Sequence, residues 1–510
     1  MAVGIILLFV GTCIIPAIAQ NIENRSVTTM RGNWLYVGGD GPGNYSKIQD
    51  AVDNASDGDT VFVFKGIYNE SVYISKSIIV LGEDKYNTVI DGQFKIPGVV
   101  KFLANSIYFS GFSIIHSRSW ANDFGMSISS YNVVVNNIIS ENHGGWGGIK
   151  VDGSYNQINN NIIKRGSSDG ILIGHTAFYN IISGNTINDN NIGIWLAANQ
   201  DNVITGNHIH NNSYEGIMIR GVGYSEVSNN IIENNNGAAI KIEWDTSNVV
   251  VEGNIIKNNG EGLVIDDAQS LIVEMNSFYV EGIQLTGDVL NYWTSHSISN
   301  NLINGKPIYF FKSEKDLIVP SDAGQLILVD CTNCLMKNLH ISNVDYGIQL
   351  GFSSKNTISN NQFINTTETA INLQFHSHKN KIFNNYIFNS NNCGVIVSKS
   401  LFNNFSLNNF SNNKIGVRLD SSFCNRFLSN NFINNLQTHA TFVADGPVRS
   451  HNTWKYNYWD GRIWNGPKVI LGCINTHMTY MNPFGDIYNI YLTSINVDWH
   501  PAQEPYDIGE

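Results

Sequence analysis

Arg220, Glu243 and Asp266 occupy the same place in three consecutive copies of a short phrase, a small residue, an apolar residue, any residue and a second apolar residue. Lys241, Trp244 and Asp267 lie beside them, and Trp195 stands in an earlier copy. Two carboxylates with an arginine and a lysine alongside have the makings of acid/base chemistry on a sugar, one carboxyl raised in pKa and the other kept ionised. Trp195 and Trp244 would offer flat apolar faces to sugar rings, with Lys241 and Asp267 as polar neighbours. A charged ladder on a repeat protein is equally what a salt-bridged, solvent-facing surface carries. Both readings of Arg220, Glu243 and Asp266 stand until the elements that position them are known.

Those elements announce themselves as a repeat. From Asn136 to Asn431 an Asn or Gly, an Asn and then apolar residues keep returning, as in Asn136-Asn137-Ile138-Ile139, Asn160-Asn161-Ile162-Ile163, Gly184-Asn185-Thr186-Ile187 and Asn384-Asn385-Tyr386-Ile387. The period is roughly 22 to 24 residues, the mark of a solenoid. The small-residue phrase follows about a dozen residues later, as in Gly148-Ile149-Lys150-Val151, Gly170-Ile171-Leu172-Ile173 and Gly216-Ile217-Met218-Ile219. A third apolar pulse comes next, as in Asn202-Val203-Ile204. Three short alternating strands per period, cornered by Gly, Asn and Ser, describe one coil of an all-β, parallel β-helix.

One such coil cannot bury its own Ile, Val, Leu and Phe. Stacked about 4.8 Å apart, many coils make a continuous apolar column, each buried side chain contributing on the order of 1.5 to 3 kcal/mol. Asn recurs because its short amide tolerates a left-handed corner and can bond the same Asn one coil on. On the stack, Lys150, Leu172, Trp195, Met218, Lys241 and Val264 share one outward slot, and Asp152, Gly174, Ala197, Arg220, Glu243 and Asp266 the next.

The composition agrees with one large body: 510 residues, 42% hydrophobic and 14% charged. A net charge of -12 without any Lys/Arg cluster argues against nucleic acid and anionic membrane surfaces as partners. Residues 1–19 hold an apolar run ending in Ala17-Ile18-Ala19, which predicts a secretory signal cut after Ala19 or, as the alternative, an uncleaved anchor. Either places the body outside the cytoplasm, secreted or at the cell surface, with no membrane contact beyond that segment. Sequons such as Asn24, Asn69 and Asn404 fit the compartment. Cys331-x-x-Cys334 lacks the second pair of a zinc ribbon and reads as a disulfide or two unlinked thiols.

Ahead of the first strand, Ile48, Ala51, Val52 and Ala55 keep helical spacing, a short amphipathic helix suited to plugging the column's open end. The run Ile48-Gln49-Asp50-Ala51-Val52, Gly58-Asp59-Thr60-Val61, Gly66-Ile67-Tyr68-Asn69-Glu70, Ile74-Ser75-Lys76-Ser77-Ile78 and Ile90-Asp91-Gly92 resembles the opening of the pectate-lyase-like right-handed β-helix superfamily. With the Asn-rich coils it resembles the NosD-type periplasmic copper-binding family of carbohydrate-binding and sugar-hydrolase repeats, and is closest to its archaeal surface and secreted members.

The resemblance implies a right-handed helix divided as 33–100, N-terminal cap and first coils; 101–275, coils; 276–337, an extended, inserted coil; 338–434, coils; and 435–510, an aromatic C-terminal cap. It also raises copper as a cofactor. The best local set of soft donors is Cys473, His477, Met478 and Met481, the ligand types Cu(I) prefers. The pairs His208/His210 and His376/His378 lack a third ligand nearby in sequence. The expected function is a scaffold that binds polysaccharide or a cell-envelope glycan, or copper, along outward faces. The alternative is a polysaccharide hydrolase, lyase or epimerase working at Arg220, Glu243 and Asp266.

Overall fold

The computed structural model describes residues 32–198, 200–445, 452–461, 466–481 and 487–508, with the side chains of 445, 474–481 and 487–493 left aside. The chain winds as a right-handed parallel β-helix, the hand that parallel crossovers adopt. Its first stack has three sheets. Sheet 1 has ten strands, from Val72–Ile74 to Ile283–Thr286; sheet 2 has twelve, from Trp34–Val37 to Ser297–Ser299; sheet 3 runs from Gly66–Tyr68 to Leu302–Ile303. A second stack repeats the pattern, its three sheets starting at Gln325–Val329, Leu335–Lys337 and His340–Ser342. Period-two alternation sends one set of side chains inward: Ile158, Ile182, Ile204 and Val227, in register on successive coils, are fully buried.

The recurring Asn-Asn pair divides two tasks that the sequence alone assigns to one residue. The first member takes a left-handed backbone, φ 57° at Asn136 and 56° at Asn160, which is why Gly184 and Gly206 replace it freely. The second is buried and builds the ladder. The backbone N–H and side-chain amide of Asn207 both donate to Asn230 Oδ1, at 2.9 and 3.0 Å, while the same amide also reaches Ile182 O at 2.9 Å. Corners built on this pair thereby satisfy peptide groups that would otherwise be buried without partners.

Both ends are closed. Helix α1, Ile48–Asn54, lays Ile48, Ala51 and Val52 on the column, and Glu70 accepts the N–H groups of Ile48 and Gln49 at 2.9 Å each. At the other end Trp454 and Trp459 are buried, stacked on Phe427 and Phe432 with centroids 4.0 and 4.3 Å apart. Trp464, Tyr480 and Phe484 lie outside the described side chains, and Trp499 is exposed. Residues 1–19 lie outside the described residues. Among the described residues no helix is long and apolar enough to cross a membrane. The thiols of Cys331 and Cys334 are unlinked and buried, and burial pushes Cys331 up to about 12.

The two stacks meet at the inserted coil. Strand Leu302–Ile303 turns back through Asn304 and Gly305, both at positive φ, into an antiparallel pairing with Lys306–Lys312. That strand then pairs in parallel with Gln325–Val329, which pairs with Tyr346–Gly351. Leu326 and Leu328 face the second column. Gln325 and Gln349 turn their amides to the open edge of the last sheet 1 strand, meeting Ile283 N–H at 3.0 Å and Leu285 N–H at 3.2 Å. Helix α2, Asn291–Thr294, seats the fully buried Trp293 against Gly351, where a Cβ would fall 2.5 Å from its ring. The second stack thus caps the exposed edge of the first with side chains.

Candidate functional site

Strand pairing sets the outer slots of sheet 1. Leu172, Trp195, Met218, Lys241 and Val264 are in register, and Arg220 pairs with Glu243 one rung on. Because the slot repeats about every 4.8 Å, neighbouring rungs put long side chains in mutual reach. Arg220 Nε donates to Glu243 Oε1 at 2.6 Å, and Lys241 Nζ lies 3.2 Å from Glu243 Oε2. Burial works against the charge of Glu243, but hydrogen bonds from Arg220 and Lys241 outweigh it and hold the carboxyl below its ordinary value.

The chain then turns at Trp244, φ 57°, and the indole stands out, 62% exposed. The Arg220 guanidinium sits over this ring, 4.2 Å from the centroid. Arg220, Lys241, Glu243 and Trp244 therefore form one compact group. Asp266 is on the next rung but bonds elsewhere, accepting the Thr286 hydroxyl. Asp267 sits at the following corner, raised by burial and then by Asp266, Asp288 and Asp245, with a buried Oδ1 that has no partner. Trp195 lies two rungs before Lys241, flanked by Leu172 and Met218, its indole N–H buried and without a partner.

The soft-donor set is placed in part. Cys473 is on strand Lys468–Met481, opposite Thr493, and the pairing is irregular between Asn475 and Thr479. The side chains of His477, Met478 and Met481 lie outside those described. His208 is 2.8 Å from Glu233, whose other oxygen meets Lys257 at 2.8 Å; His378 Nδ1 accepts Leu401 N–H at 2.9 Å. Among the described residues no three His, Cys, Asp or Glu side chains converge as a metal site.

Three further carboxyls with upward shifts share a different slot, the residue just before the small one that opens a sheet 1 strand. Asp169 is raised to about 7 by burial and then Glu215; Glu261 is raised by burial and then Glu368; Glu281 is raised to about 7 by burial. The signal was present as Asp169-Gly170, Glu215-Gly216, Glu261-Gly262 and Glu281-Gly282.

A right-handed solenoid with polar ladders on its outer faces defines a broad class, and the comparisons narrow it. Residues 147–314 match the family described as right handed beta helix region. Residues 52–221 and 315–467, more than half of the chain, match the family described as periplasmic copper-binding protein (NosD), and the chain belongs to that family. The search of curated proteins returns no match. Among solved structures, the Dettilon tailspike protein is 13% identical, with 69% of this chain and 66% of that chain covered, at a TM-score of 0.43. An alginate lyase from Paenibacillus sp. is 15% identical, covering 53% and 95%, at 0.36. The A-module of an Azotobacter vinelandii mannuronan C-5 epimerase is 13% identical, covering 80% and 94%, at 0.27. Likenesses this distant carry no inference about activity.

Proposed function

We propose that this protein is an extracytoplasmic scaffold that binds a polysaccharide along the outer face of sheet 1. The observation that carries the reading is Trp244, an indole more than half exposed whose orientation is held by Arg220, itself anchored on the buried Glu243. A ring fixed in this way presents a flat apolar surface at little entropic cost, the arrangement that stacks on the apolar face of a sugar. Trp195, two rungs before Lys241, extends the aromatic character of this face along the stack. Pairing of Arg220 and Lys241 with Glu243, and of Asp266 with Thr286, favours binding over turnover, since neither carboxyl is free to act as an acid. The family's periplasmic description and the apolar run ending at Ala19 support a location outside the cytoplasm.

A glycan array probed with the purified protein tests this reading. The expected result is binding to one class of glycan that falls at least tenfold in Trp244→Ala, with a smaller loss in Trp195→Ala. Binding unaffected by both substitutions, or no glycan bound, would sink it. Product formation abolished by Glu243→Gln would replace the scaffold by an enzyme, and stoichiometric copper lost in His477→Ala would move the function to metal handling.

A further inference from the structure

Where the stacks join, the corner that leads into sheet 1 continues without a break. Asp345 N–H donates to Val280 O at 3.0 Å, and Asp345 Oδ1 accepts Gly282 N–H at 2.9 Å. Glu368 N–H in turn donates to Asp345 O at 3.2 Å. The slot occupied by Glu261 and Glu281 in the first stack is taken by Tyr346, Thr369 and Cys393 in the second, which are in register with one another. Four carboxyls therefore gather along one seam, Glu261, Glu281, Asp345 and Glu368.

None of the four belongs to an ion pair among the described residues. Two cations on flanking strands are committed elsewhere, Lys241 to Glu243 and Arg418 to Asp420. Glu368 has only a neutral partner, Asn392 Nδ2 at 3.0 Å. Tyr346 is buried and in register with Thr369, next to Glu368, and desolvation and then the charges of Glu368, Asp345 and Glu261 raise its phenol. Independently of the acidic cluster, the seam holds buried oxygens without partners, Thr369 Oγ1 and Asn372 Oδ1, on residues 0% and 5% exposed; Glu281 Oε2, within the cluster, also lacks one. Thr369 follows Glu368 directly and pairs with Tyr346, and Asn372 is on the outer slot of the same strand, beside Gln349. Glu261 and Glu368 are half-buried, so the rim of the seam is open while its floor is not.

Unpaired carboxyls beside oxygens that lack donors ask for a ligand that is positively charged and rich in N–H. A chelated metal answers poorly, because no three acidic side chains converge closely enough among the described residues. A primary ammonium answers well: it carries three donors, tolerates longer and less regular contacts than a metal, and its pairing with carboxylate strengthens away from water. We infer that the seam between the two stacks, lined by Glu261, Tyr346, Glu368 and Thr369, binds the ammonium group of an amino sugar with a free amine. The sugar part rests on the glycan reading given above; the ammonium part rests on the seam alone. An acidic seam on a chain of net charge -12 also disfavours uronate polymers.

Calorimetry with the full chain at pH 7 and low salt tests it with three tetrasaccharides of one length: β-1,4-linked glucosamine, its fully N-acetylated counterpart and an oligouronate. Glucosamine is expected to bind at least tenfold more tightly than the acetylated tetramer, and to lose that advantage in Glu261→Gln and Glu368→Gln, isosteric changes at part-exposed positions. Thermal melting of each variant checks that the fold is kept, and Tyr346→Phe reports on the seam with both carboxyls in place. If the acetylated tetramer binds as well, with dependence on Trp244, the ammonium inference falls and the glycan reading survives. Preference for the uronate overturns the inference outright. Calcium chloride alone giving heat that Glu368→Gln removes would replace the ammonium by a hard cation. If no tetrasaccharide binds but free glucosamine does, with loss in Glu368→Gln, the seam stands and the extended glycan face falls.

Discussion

The outer slot of sheet 1 and the corner slot beside it both carry carboxyls, yet they hold charge in opposite ways. In the outer slot Glu243 is nearly buried and lies between Arg220 and Lys241, so its carboxyl is held down and stays ionised. In the corner slot burial pushes Glu281 up, and burial together with the charges of Glu368 and Glu215 pushes Glu261 up. The difference follows from register. A parallel stack places like slots about one rung apart, so the charge of a residue's neighbour is decided by the residue one period away. Arg220 finds Glu243 by that rule, and Glu261 finds more carboxyls.

The comparison breaks most visibly with pH. Asp169, Glu281 and Asp345 have folded pKa values raised to about 7, above those of the unfolded chain. Their contribution is therefore complete below about pH 4 and is lost as pH rises through 7, at up to roughly 1.4 kcal/mol per pH unit for each group. Chemical denaturation across pH 4 to 8 should show stability falling over that window, and Glu281→Gln should flatten the fall. A curve that rises throughout would mean these carboxyls are solvated and ionised.

A smaller effect separates the two slots directly. Glu243→Gln keeps the shape but leaves Arg220 and Lys241 without a charged acceptor, with an expected cost of about 1 to 3 kcal/mol, toward the low end because Arg220 is partly exposed. The denaturation midpoint at pH 7 measures it. Smallest of all, the same Glu→Gln change at Glu261 or Glu368 should alter stability by no more than about 0.5 kcal/mol and in the stabilising direction, since it removes repulsion. Equal losses at Glu243 and Glu368 would erase the distinction between paired and unpaired slots.

Much of this was legible in advance. The Asn-Asn and Gly-Ile-x-Ile phrases predict the coil, its strands and the register that sets Arg220 against Glu243, because each residue's neighbours are its own repeats. The apolar spacing of Ile48, Ala51 and Val52 marks helix α1, and the late tryptophans mark the closing coil. The split of roles within the Asn pair was not legible, since both members are the same residue and only the backbone at Asn136 and the burial of Asn137 tell them apart. The importance of the residue before each small one was also hidden, because Glu261-Gly262 reads as an ordinary polar corner until something faces it.

What the sequence determined by itself is therefore everything that depends on one period: coil, column, ladder and the paired charges on the outer slot. Only the tertiary structure decided how Leu302–Ile303 folds back, which strand covers the open edge at Ile283, and that Glu368 comes to share a seam with Glu261. The physical reason is that periodicity specifies neighbours only while it lasts. Across an aperiodic insertion the meeting of two stacks is settled by packing, here Trp293 against Gly351 and two glutamine amides on a bare strand edge.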